Sequence, residues 1–217
     1  MIINYLLGII DNYLADSLRL NIYIYPMNYL AHIYLSQDDQ EIMLGNFMAD
    51  MIRKKDIYHF SDQIKKGIKL HHNIDHFTDH HPIVRHSRSL FFDEFRHYSR
   101  VIIDVLYDHY LAKNWNYYHV KSLSHFVDEF YQYLDDQKQN LPLRVQKIIP
   151  VMIKYNWLYN YSTVDGIIKI LQQMSHRIDD GTQMNHCLPI FKENYQLLEK
   201  DFTAFFHDLQ LEVSRIN

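Results

Sequence analysis

Residues 70–79 read LHHNIDHFTD, Leu70 to Asp79, and this stretch decides how the chain folds. It holds no Gly or Pro, and Leu70, Ile74 and Phe77 fall at helical spacing. His71, Asp75 and Asp79 stand at i, i+4 and i+8, so they project from one helix face. An imidazole one turn from a carboxylate can converge with it on a divalent cation. The stretch from Ile103 to Leu111, IDVLYDHYL, has the same character: Asp104 and Asp108 are four apart, with His109 adjacent. Two helices that each offer carboxylates and a His can close a cation site between them. The plainer reading of the first stretch is a solvated polar face. For Asp104 and Asp108 it is a buried carboxylate bonding a neighbouring helix. The apolar Val105, Leu106 and Tyr107 between them predict a buried helix, and a buried carboxylate is costly unless paired or cation-bound. Spacing alone leaves both alternatives open.

Composition narrows the field. With 217 residues, the chain is long enough for one domain with a sizeable core. Five Gly and five Pro are few for that length, and with long periodic stretches they predict an all-α fold. A formal net charge of −4 argues against a nucleic-acid partner. Cys187 is the single cysteine, which rules out an intramolecular disulfide and fits a cytoplasmic location. Asp11, Asp16 and Arg19 interrupt the apolar N-terminal segment well short of the ~20 residues a membrane span needs. That segment also lacks the basic start of a secretory signal. Fifteen His and 18 Tyr are abundant, but only His at fixed spacing to Asp suggest a site. Nothing in the sequence sets an oligomeric state.

Local signals order the helices. Asn28–Leu35 is short and apolar, with His32 inside. The run from Ser36 to Asp39 is a helix start, and the helix is expected over Glu41–Ile52, with Asn46 and Asp50 four apart. Ser61 is the expected N-cap of a long helix through Asp79, broken at His80-His81-Pro82. Pro82 suits the first turn of a helix from Ile83 to about Phe95, followed by Val101–Lys113. Beyond these, helices are expected over Val120–Asp136, Leu143–Ile149 and Val151–Leu158, the last two parted by Pro150. Ser162 or Thr163 caps Val164–His176, Asp179-Asp180-Gly181 forms a turn, and Pro189 opens a last helix to about Leu211.

Several of these stretches together resemble a known family. They are MNYLAHIYLS from Met27, GNFMAD from Gly45, GIKLHHNIDHFTDHHPIVR from Gly67 and IDVLYDHYL from Ile103. WLYNY from Trp157 and MSHR from Met174 match more loosely. In order and spacing they resemble the acyl carrier protein phosphodiesterases, a divergent branch of the HD phosphohydrolases. The resemblance covers most of Met27–Leu209 and leaves out residues 1–26, so Met27 is the expected natural start and 27–217 the expected domain.

The resemblance implies a distorted HD-like helical bundle. It implies metal-assisted hydrolysis of the phosphodiester joining 4′-phosphopantetheine to the serine of holo-acyl carrier protein. The implied ligands are Asp50, His71, Asp75 and Asp108, with His32 following the same logic as Asp50. His72 and His76 stand as bystanders. Mn²⁺ suits an oxygen-rich set with a His, and Mg²⁺ or Fe²⁺ is compatible. The order Asp108 then His109 reverses the usual HD dyad, so ligands do not transfer one by one from ordinary HD enzymes. Asp104 or His109 would complete the ligand set or move a proton. Arg85, ahead of Arg88 and Arg177, would offset charge on phosphoryl oxygens. Asn46 would orient Asp50 or touch phosphate. Lys54 and Lys55, with Arg53, Lys65, Lys66 and Lys69, would form a basic dock for the acidic carrier protein. Two alternatives stand beside this reading: a phosphohydrolase of small phosphate esters, and a non-catalytic module that binds carrier protein.

Overall fold

The computed structural model describes residues 29–175, 178 and 180–216. The N-terminal extension with its expected boundary at Met27, and also His176, Arg177 and Asp179, lie outside the described residues. Among the described residues there are helices and no strands, as the composition predicts.

A short helix α1 (Tyr29–Tyr34) leads into α2 (Gln40–Met48). Asp39 caps α2, its side chain accepting from the amides of Glu41 and Ile42 at 3.0 Å each. The expected single helix to Ile52 instead tightens into a 3₁₀ turn at Ala49–Met51, and a second such turn spans Lys54–His59. Ser61 then caps α3 (Asp62–His80), its Oγ accepting from the Ile64 amide at 3.2 Å. Pro82 opens α4 (Pro82–Phe95). Next come α5 (Ser99–Lys113), α6 (Trp115–Tyr118) and α7 (Leu123–Gln137). The C-terminal third holds α8 (Leu143–Lys154), α9 (Trp157–Asn160), α10 (Val164–Ser175), α11 (Leu188–Glu193) and α12 (Tyr195–Ile216).

Helix α5 is the axis of the core: every residue from Val101 to Ala112 is buried. A helix apolar on nearly all faces has to be enclosed. Helices α1, α4, α10 and α12 pack around it, and α12 also closes over α3 and α4 with Phe202, Phe205, Phe206 and Leu209. The tightest crossing joins α2 to α3. A Cβ on Gly45 would overlap the Ile64 carbonyl, and one on Gly67 would overlap the Ile42 carbonyl. The two glycines therefore let the backbones touch, which no side chain would allow.

Two expectations fail at prolines. Pro150 does not end a helix but lies inside α8. It is exposed, so water can satisfy the carbonyl its missing N–H leaves unpaired. The break falls instead at Asn156, which takes a left-handed φ of 46° before α9. Pro189 opens only the short α11, and the last helix starts afresh at Tyr195.

Candidate metal centre

Asn46 organises the site. It is fully buried on α2 beside the glycine crossing. Its side-chain Oδ1 accepts from His32 Nδ1 at 2.6 Å, and its backbone carbonyl accepts from His71 Nδ1 at 2.8 Å. Its Nδ2 donates to the His32 carbonyl at 2.7 Å and to Ser36 Oγ at 3.1 Å, which fixes the orientation of the amide. Both partners of the Nδ1 atoms are acceptors only, so each Nδ1 carries the proton. Each Nε2 is then left with a bare lone pair.

Those two Nε2 atoms are buried and have no hydrogen-bond partner. The rings stack at 4.3 Å between centroids, so their Nε2 atoms face the same region. What they face is carboxylate. Asp75 Oδ1 lies 3.4 Å from His32 Nε2, and Asp75 Oδ2 lies 3.2 Å from His71 Nε2. Asp50 Oδ1 lies 3.2 Å from His71 Nε2. Lone pairs facing carboxylate oxygens repel unless a positive charge sits between them. A proton is one candidate: burial lowers His71, but Asp50 and Asp75 outweigh it and push His71 up to about 10. Burial also lowers His32, and the neighbouring His71 lowers it further, so the two rings do not share the charge. Burial works against the Asp75 carboxylate, but His32 and His71 hold it well below the usual carboxylate range. A divalent cation is the better fit, because it meets both bare lone pairs and the carboxylates at once. Donor atoms of His32, His71 and Asp75 all lie within 4.8 Å of one another. Asp50 and Asp75 are each about a quarter exposed, so the cluster opens to solvent on their side.

One turn beyond Asp75 on α3, Asp79 is held by two guanidiniums. Arg100 Nη2 lies 2.6 Å from one of its oxygens and Arg88 Nη2 lies 3.1 Å from the other. The same Arg88 Nη2 is 3.8 Å from Asp104 Oδ1. Burial pushes Asp104 up to about 7, against the pull of Arg88, and the charge of Asp75 adds to the rise.

Three of the expected site residues have other partners or surroundings. The two Asp108 oxygens accept from the Leu30 and Ala31 amides, at 2.9 Å each. It caps the start of α1, the helix that carries His32, and so holds that helix in place. His109 is turned away. Its Nδ1 meets the Tyr161 carbonyl at 2.8 Å and its Nε2 meets Tyr195 Oη at 2.9 Å, so neither nitrogen is available. Arg85 lies on the exposed side of α4, while Arg88, three residues on, points among the carboxylates. Arg177 lies outside the described residues. Lys54 and Lys55 are exposed on the 3₁₀ turn after Asp50.

Sequence reasoning underrated His32 and missed Arg100. A lone His in a short apolar helix was the signal for the first. For the second, Arg100 lies one turn ahead of Asp104, close to the site along the chain.

Relatives match most of this chain and nearly all of their own length. A protein of Pectobacterium atrosepticum described as acyl carrier protein phosphodiesterase is 32% identical over 181 residues, 83% of this chain and 94% of its own length. Proteins of the same description are 30% identical over 181 residues in Yersinia enterocolitica, again 83% of this chain and 94% of their own length. In Escherichia coli the figure is 28% over 193 residues, 87% of this chain and 98% of theirs. No solved structure matches the chain. The family model for acyl carrier protein phosphodiesterase matches residues 27–209, a span that includes His32, Asn46, Asp50, His71, Asp75, Arg88 and Asp104. By this match over most of its length, the chain belongs to the acyl carrier protein phosphodiesterase family.

Proposed function

We propose that the protein hydrolyses the phosphodiester between 4′-phosphopantetheine and the serine of holo-acyl carrier protein. The observation that carries this reading is the pair of buried Nε2 atoms without hydrogen-bond partners, His32 facing Asp75 and His71 facing both Asp75 and Asp50. His32, His71, Asp75 and Asp50 would hold the cation. Two imidazoles beside two carboxylates suit Mn²⁺ or Fe²⁺ better than Mg²⁺, which prefers all-oxygen shells. Such a cation, when bound, polarises a phosphoryl oxygen and lowers the pKa of a water.

The chain's own groups do the rest. Arg88 offsets charge on the phosphoryl oxygens as it builds up, its planar fork suited to two of them. Water attacks phosphorus in line with the serine oxygen. The P–O(Ser) bond breaks, the water's oxygen stays on phosphorus, and a proton passes to the serine oxygen. We assign that proton to Asp104, which burial raises and which lies 3.8 Å from Arg88. The products are apo-carrier protein and 4′-phosphopantetheine. We take the substrate to be met in the cytoplasm, in keeping with the single cysteine, Cys187.

The test is to incubate the purified protein with Mn²⁺ and holo-carrier protein, then weigh the carrier by mass spectrometry. The carrier should lose the phosphopantetheinyl mass, and Asp75→Ala should abolish that loss, bind less metal and keep its helical signal. An unchanged carrier, with hydrolysis only of small phosphate esters, would replace the proposed substrate. A metal-free, inactive protein that still binds holo-carrier protein would remove the catalytic reading.

A further inference from the structure

A groove of about 480 Å³ lies between the 3₁₀ turn Lys54–His59 and the start of α8. Met51, Phe60, Leu141 and Leu143 give it apolar walls, and Arg53 and Arg144 stand along it. One end touches the metal centre along the chain, because Met51 follows Asp50 directly. The other end reaches Phe60, just before α3. From Asp62 to His71 the helix axis runs about 13 Å. Leu143 is 72% exposed at the first position of α8, a large apolar side chain that folding leaves uncovered. The groove falls within the size range of small-ligand sites.

We infer that this groove holds the pantetheine arm of the substrate, with the thiol end directed toward Phe60. The inference rests on the proposed reaction, which fixes the phosphate at the metal centre and requires the arm to lie somewhere beside it. From ester oxygen to sulfur the arm is about twelve bonds, close to four residues of extended peptide or about 14 Å. That length is close to the rise of α3 from Asp62, just after Phe60, to His71 at the metal centre. The chemistry matches as well. The gem-dimethyl and ethylene groups meet apolar walls, and the two amides come within reach of the polar groups among them, Asn140 and Arg144. A longer apolar acyl chain on the thiol would run past Phe60 toward solvent.

The test is Leu143→Asp. Leu143 is exposed, and an acidic residue in the first turn of a helix is favourable, so the fold should be kept. KM for holo-carrier protein should rise about tenfold while kcat changes little, the expected cost of losing one leucine contact in ground state and transition state alike. Pantetheine without its phosphate, titrated into the Mn²⁺-loaded protein, should bind the wild type and fail to bind the variant. Val120→Asp, on fully exposed surface far along the chain, should behave as wild type in both assays. Equal pantetheine binding by Leu143→Asp and wild type, or no binding by wild type, would overturn the inference. If wild type binds pantetheine but never cleaves holo-carrier protein, the reaction is wrong and the groove assignment stands on the titration alone.

Discussion

Replacing Asn46 with Ala tests the logic of the centre without touching a ligand. The change removes the acceptor 2.6 Å from His32 Nδ1 and leaves the Asn46 backbone carbonyl on His71 in place. His32 is then free to move its proton to Nε2, where Asp75 Oδ1 waits 3.4 Å away. That proton occupies the lone pair a cation needs. Loss of such an orienting partner lowers metal affinity by about 10–100-fold. At metal 100 times above the wild-type Kd, binding stabilises the fold by about 2.7 kcal/mol; a hundredfold weaker site leaves about 0.4 kcal/mol. For a chain of this size the rise in Tm on adding Mn²⁺ should fall from roughly 5–10 °C to roughly 1 °C. The metal-free variant should also be less stable, by about 1–3 kcal/mol for one stranded buried donor. Thermal unfolding with and without Mn²⁺, together with a calorimetric titration, measures both effects. Ser36→Ala is the control: it removes a 3.1 Å bond to the same amide but leaves the His32 ring held. If Asn46→Ala keeps the full metal shift, or Ser36→Ala loses it, the tautomer argument is wrong.

Three further outcomes follow from the geometry. Asp108→Ala strands the Leu30 and Ala31 amides in the interior and should cost about 2–5 kcal/mol, read by urea unfolding; a stable variant that loses only metal would return Asp108 to the ligand set. In EDTA, stability should be highest below pH 6.5 as far as His71 is concerned, and fall as pH climbs toward about 10, because the folded state holds its proton more tightly than the unfolded state. Added Mn²⁺ competes for that proton, so its affinity should rise across the same window; a flat profile in EDTA would refute a charged His71. Reversing Lys54 and Lys55 to Glu should lower kcat/KM for holo-carrier protein, with a loss that shrinks as salt shortens the Debye length below about 8 Å. No response would leave these lysines as solvated surface.

Local chemistry explains what could be read in advance. The bounds of α3 were visible because Ser61 and Pro82 are punctuation that acts over a few residues. The His71–Asp75 pair was visible because four-residue spacing on a helix guarantees proximity. Asp108 has the same spacing from Asp104, yet its partners Leu30 and Ala31 are 78 and 77 residues away. Periodicity says that such a carboxylate is buried but not what it meets. Arg85 and Arg88 could have been ranked by angle. Val84, Ser87, Phe91 and Phe95 mark the buried face of α4, and Arg88 lies closer to that face than Arg85 does. The resemblance favoured Arg85 because it lies within a matching stretch. His109 misled for a different reason: its neighbours Tyr161 and Tyr195 arrive from distant helices and take up both its nitrogens.

The crossing of α2 and α3 has a consequence for how this protein tolerates mutation. Gly45 and Gly67 carry no functional atom, yet they set the spacing at which a backbone carbonyl of one helix reaches an imidazole of the other. The accuracy of the centre is therefore encoded in missing atoms. A single methyl at either position would push rigid backbone against rigid backbone, with no side chain to rotate aside. Variants there should resemble ligand mutants in their metal content while every ligand is still present. A screen that scores only chemically reactive positions would pass over them, and an engineer transplanting this centre into another helical scaffold would have to carry the two glycines along with the donors.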